Sequence, residues 1–289
     1  MTDPTRSPGD HPAVGALPED GGVRVNRLIH VCGLKRSGLH GVSFWMLRHS
    51  DRHALLNNSP AKRPGSGSYM SRTVQTSPLP VRVHRGLESS VIRGTEERFE
   101  PLPSALDLLI VLHQSQQPAH LAAHQPLVQG VNAAATDFAL LLRDPFNWAA
   151  SYMHRSQNPE DPAVWPLQWR EYAQEYLGLT RHLTGALRIN YNDWFSDPAY
   201  RQQLSGLLGF AHTDSGLQIV SDHADGSSFD RRRFDGNAQE MDVLGRWKHF
   251  ADSESYKESF RKNRDILEMA RSIFRLPPDL TEFAASLTG

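Results

Sequence analysis

Two short uninterrupted apolar runs, LDLLIVLH (106–113) and DFALLLRD (137–144), constrain this chain more than any other feature. A strand with one wet face alternates apolar and polar residues. A run that is apolar at successive positions must be covered on both faces, as in a parallel sheet held between helices. A third run, RLIHVC (27–32), ends at Gly33, and Leu39, Val42 and Met46 then recur at helical spacing, predicting a helix over 38–49. HALLNN (53–58) and ALRINYNDW (186–194) read as further strands. Trp165, Trp169, Tyr172, Tyr176, Leu179 and Leu183 step by fours and threes, predicting an amphipathic helix whose aromatic stripe faces a core. Helices are predicted again at 198–208 and 253–274, the latter as the last element. Strands alternating with helices specify a three-layer α/β/α fold around a central parallel sheet, and no internal repeat is visible.

Residues 1–22 are rich in Pro, Gly and Asp without a period, the pattern of a disordered tail. Order is expected from Val23, with 23–289 forming one domain. Residues 59–80 carry Pro, Gly and Ser and no clear period, which predicts a long loop, functional or mobile. Lys and Arg total 31 against 32 Asp and Glu, so no global field recruits nucleic acid or an anionic membrane. Any anion site must be local. The single cysteine, Cys32, lies in an apolar strand and reads as a buried small hydrophobe rather than a nucleophile. No apolar stretch approaches the ~18 residues of a membrane span, and the start lacks a signal-peptide core. A cytoplasmic location is expected.

The stretch VCGLKRSGLHGVSFWML (31–47) passes from strand to helix through a loop bracketed by Gly33 and Gly38. Such a turn seats a phosphate because helix N-terminal N–H groups and the helix dipole point at the anion. Nucleotide-hydrolysing loops place Lys and then Ser or Thr after the second glycine. Here Leu39 and His40 follow it, while Lys35, Arg36 and Ser37 precede it. In LLLRDPFNWAASY (140–152) a strand ends at Arg143, Asp144-Pro145 opens a helix, and Ser151 follows Arg143 by eight positions. Arg143 and Ser151 are thereby candidates to meet on one phosphate. INYNDWFSDP (189–198) ends a predicted strand at Tyr191, whose ring and hydroxyl suit a purine or a phosphate. DRRRFDGNAQEMDVLGRWKHF (230–250) brings Arg231, Arg232 and Arg233 ahead of a Gly-Arg-Trp-Lys turn.

In this order the motifs resemble those of the sulfotransferases, which move a sulfuryl group from 3′-phosphoadenosine 5′-phosphosulfate (PAPS). Arg36-Ser37-Gly38 is similar to the Arg-Ser-Gly-Ser/Thr loop of carbohydrate-directed members. Arg143, Pro145 and Ser151 match the family's 3′-phosphate pattern. Asn190-Tyr191-Asn192-Asp193-Trp194 resembles its Tyr-Glu-Asp-Leu segment, and Gly245-Arg246-Trp247-Lys248 its Gly-Asp-Trp-Lys. The resemblance runs over 27–260 and implies a P-loop-containing nucleotide-hydrolase-like sulfotransferase fold. It implies a cofactor-binding set of Lys35, Arg36, Ser37, Gly38, Leu39, His40, Arg143, Ser151, Tyr191, Arg231, Arg232, Arg233, Trp247 and Lys248. It also implies Arg36 and Lys35 as stabilisers of the departing 3′-phosphoadenosine 5′-phosphate (PAP), PAPS as donor with no metal required, and a small-molecule or carbohydrate acceptor. A homodimer is allowed, with no nucleic-acid or membrane partner.

Three departures accompany the resemblance. Leu39 and His40 replace hydroxyl residues of the loop. The Arg-Lys-Gly triplet before Gly-Asp-Trp-Lys is missing, with Arg231–Arg233 as the substitute. The general base has two main candidates: His113, expected to emerge from a strand at the sheet edge, and His124, before Gln125-Pro126-Leu127. His84, His40 or a carboxylate are the remaining options. His120 and His124, at i and i+4, lack an evident third metal ligand. The acceptor pocket is expected from loops such as 59–104. The alternatives are a P-loop kinase-like phosphotransferase and a non-catalytic nucleotide-binding protein.

Overall fold

A computed structural model describes residues 23–56, 81–85, 88–93, 96–101, 105–124, 131–155, 164–220, 227 and 229–288. The predicted N-terminal tail and the 59–80 loop lie outside these residues. Among the described residues eight strands pair in one sheet: β1 (Val23–Gly33), β2 (His53–Leu56), β3 (Val81–Arg85), β4 (Glu88–Arg93), β5 (Glu96–Pro101), β6 (Ala105–Gln114), β7 (Val131–Leu142) and β8 (Leu187–Asn190). Their order is β5-β4-β3-β2-β6-β1-β7-β8. All neighbours from β3 through β8 in that order run parallel, and β4 and β5 add an antiparallel edge. Among the described residues the helices are α1 (Leu39–Leu47), α2 (Pro118–His124), α3 (Pro145–Arg155), α4 (Val164–Leu177), α5 (Tyr191–Ser196), α6 (Pro198–Leu207), α7 (Glu254–Arg261), α8 (Arg264–Ile273) and α9 (Pro278–Ser286).

The two apolar runs are the buried middle of this sheet. β1 lies between β6 and β7, with Val31 aligned to Leu112 and to Ala139. Ile29, Val31, Leu108, Ile110, Leu112, Ala139 and Leu141 pack with α1, α5 and α6. Cys32, Leu140 and Leu142 face the opposite core, built with α3, α4 and α7–α9 around Trp148, Trp165, Trp169 and Phe260. Helices thus cover both faces, giving the expected three-layer α/β/α arrangement. Cys32 is fully buried, and burial pushes its thiol pKa far up. No helix among the described residues is long and apolar enough to cross a membrane.

Four expectations are corrected. The aromatic helix stops at Leu177, because Gly178 adopts φ +75° and the N–H groups of Gly178 and Leu179 return to the carbonyls of Glu175 and Gln174. This is a Schellman stop. It leaves Leu179 70% exposed, while Leu183 is buried from the following loop. The strand predicted over 186–194 ends at Asn190, whose side chain accepts the N–H groups of Asn192 and Asp193 and starts α5. The helix predicted over 253–274 is two helices, broken at Lys262–Asn263, and α9 follows it. The region assigned to acceptor loops contains β3, β4 and β5.

Candidate functional site

β1 delivers the chain to the C-terminal edge of the sheet, where Lys35–Gly38 turns into α1. Ser37 folds the turn on itself: its N–H and hydroxyl both donate to the Leu34 carbonyl, at 3.1 and 2.7 Å. Lys35 N–H donates to Ser115 Oγ at 3.0 Å, and Trp148 Nε1–H donates to the Lys35 carbonyl at 2.7 Å. Gly38, at φ +90°, is the N-cap of α1. A Cβ there would stand 2.0 Å from the Tyr191 ring, so the position needs glycine twice over. Arg36 (φ 72°), Ser115 (φ 54°) and Arg231 (φ 50°) are the non-glycine residues at positive φ among the described residues. Left-handed backbone in a side-chain-bearing residue is costly and concentrates at functional sites. The first two belong to this loop and its support, and the third to a turn that meets the site from the far side.

Arg143 stands where β7 gives way to α3. Its Nη1 donates to Ser151 Oγ at 3.2 Å and to the Arg36 carbonyl at 3.2 Å, so the two predicted motifs are one assembly. Its Nη2 donates to the Val243 carbonyl, and its guanidinium lies 5.1 Å over the Tyr191 ring. Asp144 begins α3 and is held by the amides of Asn147 and Asn192. Asn147 Oδ1 in turn accepts Trp247 N–H at 3.2 Å, which docks the 246–250 turn on α3. That turn supplies a residue absent from the predicted set. Arg246 is 5% exposed and donates to Ser151 Oγ from Nη1 at 3.1 Å. Two guanidinium groups therefore converge on one hydroxyl.

The electrostatics of this nook are set by burial. Arg143 is 2% exposed, and its pKa falls to about 10, first through desolvation and second through repulsion from Arg246. It remains a cation at neutral pH. Nε of Arg143 and Nε of Arg246 are both buried without a hydrogen-bond partner among the described residues. Buried donors left in that state favour an incoming acceptor.

The remaining predicted residues divide sharply. Lys35 is exposed and Arg36 half-buried at the loop. Leu39 is a core residue, able to meet a ligand only through its backbone. His40, on the first turn of α1, places Nε2 3.1 Å from Gln114 Nε2. Arg231, Arg232 and Arg233 are exposed; Arg232 pairs with Asp235 at 2.5 Å and Arg233 lies 5.5 Å over Phe234. From this segment the cation that reaches Ser151 is Arg246, whereas the expected triplet stays at the surface. Lys248 pairs with Asp279 of α9 at 2.8 Å, and the Trp247 ring packs on Phe283 at 4.9 Å. Both side chains are directed to α9 rather than to the nook.

His113 is the largest departure. Its ring does not emerge at the edge; it is fully buried, with Nε2 3.0 Å from Nδ1 of His30. Burial, followed by the neighbouring His30, lowers its pKa to about 3, and burial alone lowers His30 to about 4. His124 ends α2, while His84 lies in β3. Among the described residues no three His, Cys, Asp or Glu side chains are grouped to hold a metal ion. Two hollows of about 390 and 330 Å³ open around Gly178–Arg188 and around Arg27, Asp137 and Leu208. Neither is lined by the site residues.

No family model and no curated protein matches the chain. Among solved structures, the sulfotransferase domain from the Synechococcus PCC 7002 olefin synthase is similar over 91% of this chain and 99% of its own length. It shares 13% sequence identity at a TM-score of 0.49.

Proposed function

We propose that this chain is a PAPS-dependent sulfotransferase acting on a hydroxyl or amine of a small-molecule or carbohydrate acceptor. The observation that carries the reading is the convergence of Arg143 and Arg246 on Ser151, with Arg143 also tied to the Arg36 carbonyl of the glycine-bounded loop. A loop of first-turn amides beside a separate, buried, doubly cationic nook suits a ligand with two phosphoryl groups set apart. The 5′-phosphosulfate would rest on Lys35–Gly38 and the first turn of α1. The 3′-phosphate would take Arg143, Ser151 and Arg246, and Tyr191 would border the nucleotide.

In the transfer, the bond between sulfur and the bridging oxygen of PAPS breaks as the acceptor oxygen bonds to sulfur. The leaving PAP gains charge on that oxygen, where Arg36 and Lys35 act. The acceptor proton goes to a base that the acceptor can touch. His113 is enclosed against His30, so the role falls to His124 at the end of α2 or to His40 beside Gln114. No metal clamp is needed for a sulfuryl group, and turnover should survive EDTA. The enclosure of His113 is also what favours the second reading, a nucleotide-binding protein without turnover. The test is thermal melting with PAP, ADP and ATP, followed by turnover with His40→Ala and His124→Ala. PAP should raise Tm well beyond ADP, and an equal shift with ADP would end the donor assignment. Loss of the base should lower turnover by ~10²–10⁴-fold with PAP affinity retained.

A further inference from the structure

Arg246 does not face its nook alone. Its Nη2 donates to Ser227 Oγ at 2.5 Å and lies 3.3 Å from Asp230 Oδ2. Its guanidinium stands 4.9 Å over the ring of Phe229, and that ring is stacked on His154 of α3 at 4.0 Å and meets His249 at 5.2 Å. Ser227 and Arg231 exchange backbone hydrogen bonds at 3.0 Å in both directions, and Arg231 takes its positive φ to close that turn. Ser227 Oγ donates to Asp230 Oδ2 at 3.1 Å, and accepts the N–H groups of Phe229 and Asp230. The turn therefore presents one carboxylate to one buried guanidinium.

The carboxylates near the two cations have different duties. Asp144 is wholly buried and saturated by Asn147 and Asn192. Asp230 has a side chain 25% exposed, and its 3.3 Å contact with Arg246 is longer than that arginine's bonds to Ser151 and Ser227. It neutralises Arg246 loosely, from a position open to solvent. We propose that Asp230 is a built-in counter-anion for Arg246, which a phosphate of higher charge replaces on binding, making Asp230 a specificity-determining residue of the nook. This rests on the donor reading above for the identity of the phosphate. A dianion outcompetes one carboxylate for the guanidinium, whereas a singly charged anion gains little by the exchange. Asp230 thus sets a charge threshold for entry.

The test compares the parent chain with Asp230→Asn, which keeps the acceptor for Ser227 and removes the charge, and with Asp230→Ser in case the first variant folds poorly. Calorimetric titration with PAP should show about two- to five-fold tighter binding to the variants, the range expected for removing one partly exposed opposing charge. ADP, which lacks the 3′-phosphate, should bind all three alike. Unchanged or weaker PAP binding in the folded variants would overturn the proposal and leave Asp230 as a clasp that orients Arg246. If PAP binds none of the proteins, the donor reading fails; inorganic phosphate then takes its place, tighter binding to the variants supporting the counter-anion and equal binding overturning it. In the unaltered chain, PAP should speed amide hydrogen exchange over 229–236 as Asp230 lets go. Slower exchange there would mean that the turn clamps the ligand, and would also overturn the proposal.

Discussion

Two buried pairs of nitrogen bases lie near the same edge of the sheet, and they behave oppositely. His113 of β6 and Leu140 of β7 are both register partners of Cys32, and Arg143 follows Leu140 by three residues. Both pairs are shielded from water, and burial lowers the pKa of His30, of His113 and of Arg143. The starting values decide the outcome. An imidazole that begins near 6.5 becomes neutral, so His30 and His113 share one hydrogen bond as uncharged core. A guanidinium that begins near 12.5 and falls only to about 10 stays charged, so Arg143 keeps its positive potential. Burial of one group makes neutral packing, and burial of the other leaves a charge, which is the basis of the proposed anion site. The same contrast explains why His113 is a poor base: a ring with a pKa of about 3 accepts a proton weakly and has no open path to an acceptor.

Acid should break the contrast, and this is the largest effect expected. The folded-state pKa of His30, about 4, lies below its unfolded value near 6.5. The unfolded chain therefore binds more protons between these values, and stability rises with pH across that window. The contribution is complete above about pH 6.5 and is lost as pH falls toward 4, by on the order of 3 kcal/mol for His30 alone. Urea unfolding at about pH 7, 5.5 and 4.5, values that bracket this window, measures it. His30→Leu should reduce the slope and leave the share of His113, which burial also lowers; a parent-like slope in that variant would remove His30 as a cause.

Arg143 carries the next effect, on binding. Arg143→Ala should weaken PAP by roughly ten- to a hundred-fold, matching the ~1.5–3 kcal/mol of a charge-assisted hydrogen bond. Arg143→Lys should recover only part, because an ammonium cannot reproduce the fork that reaches Ser151, Arg36 and Val243 together. Lys35→Ala, at an exposed position, should cost less than Arg143→Ala. Titration calorimetry ranks the three. If Lys35→Ala proves the more damaging, the loop rather than the buried nook dominates recognition.

The layers are legible in the sequence because continuous apolar runs and 3.6-residue stripes survive in single segments. The Arg143–Ser151 meeting is legible too, since both ends lie on one strand–helix junction. Contacts between segments far apart in the chain are not. His113 reads as exposed because its partner, His30, is 83 residues away. Arg246 is overshadowed by the three adjacent arginines at 231–233, although a lone arginine flanked by Gly245 and Trp247 is the better signal for a buried group. The helix stop at Gly178 and the strand end at Asn190 are written in local residues: a left-handed glycine and an asparagine N-cap. There the apolar period runs on past the stop and outweighs them.

Lys248 gives the smallest expected effect and the cleanest sorting of the two arginine-and-lysine segments. From sequence it belongs with Trp247 to the nucleotide; in the fold its ammonium pairs with Asp279, both side chains about half exposed. Such a pair is screened by solvent and contributes little. Arg246, two residues earlier, is buried against Ser151. The one-residue steps of a tight turn point successive side chains in different directions, so neighbours in sequence serve different surfaces. Lys248→Ala should therefore leave PAP affinity within about two-fold of the parent, as expected for an exposed pair remote from the ligand. Arg246→Ala should weaken it by about ten-fold or more, the cost of losing a charged hydrogen-bond donor. Parallel titrations of the two variants decide the matter. A large loss from Lys248→Ala, with Asp279→Ala behaving as the parent, would mean that the lysine leaves α9 for the ligand and that the turn rearranges on binding.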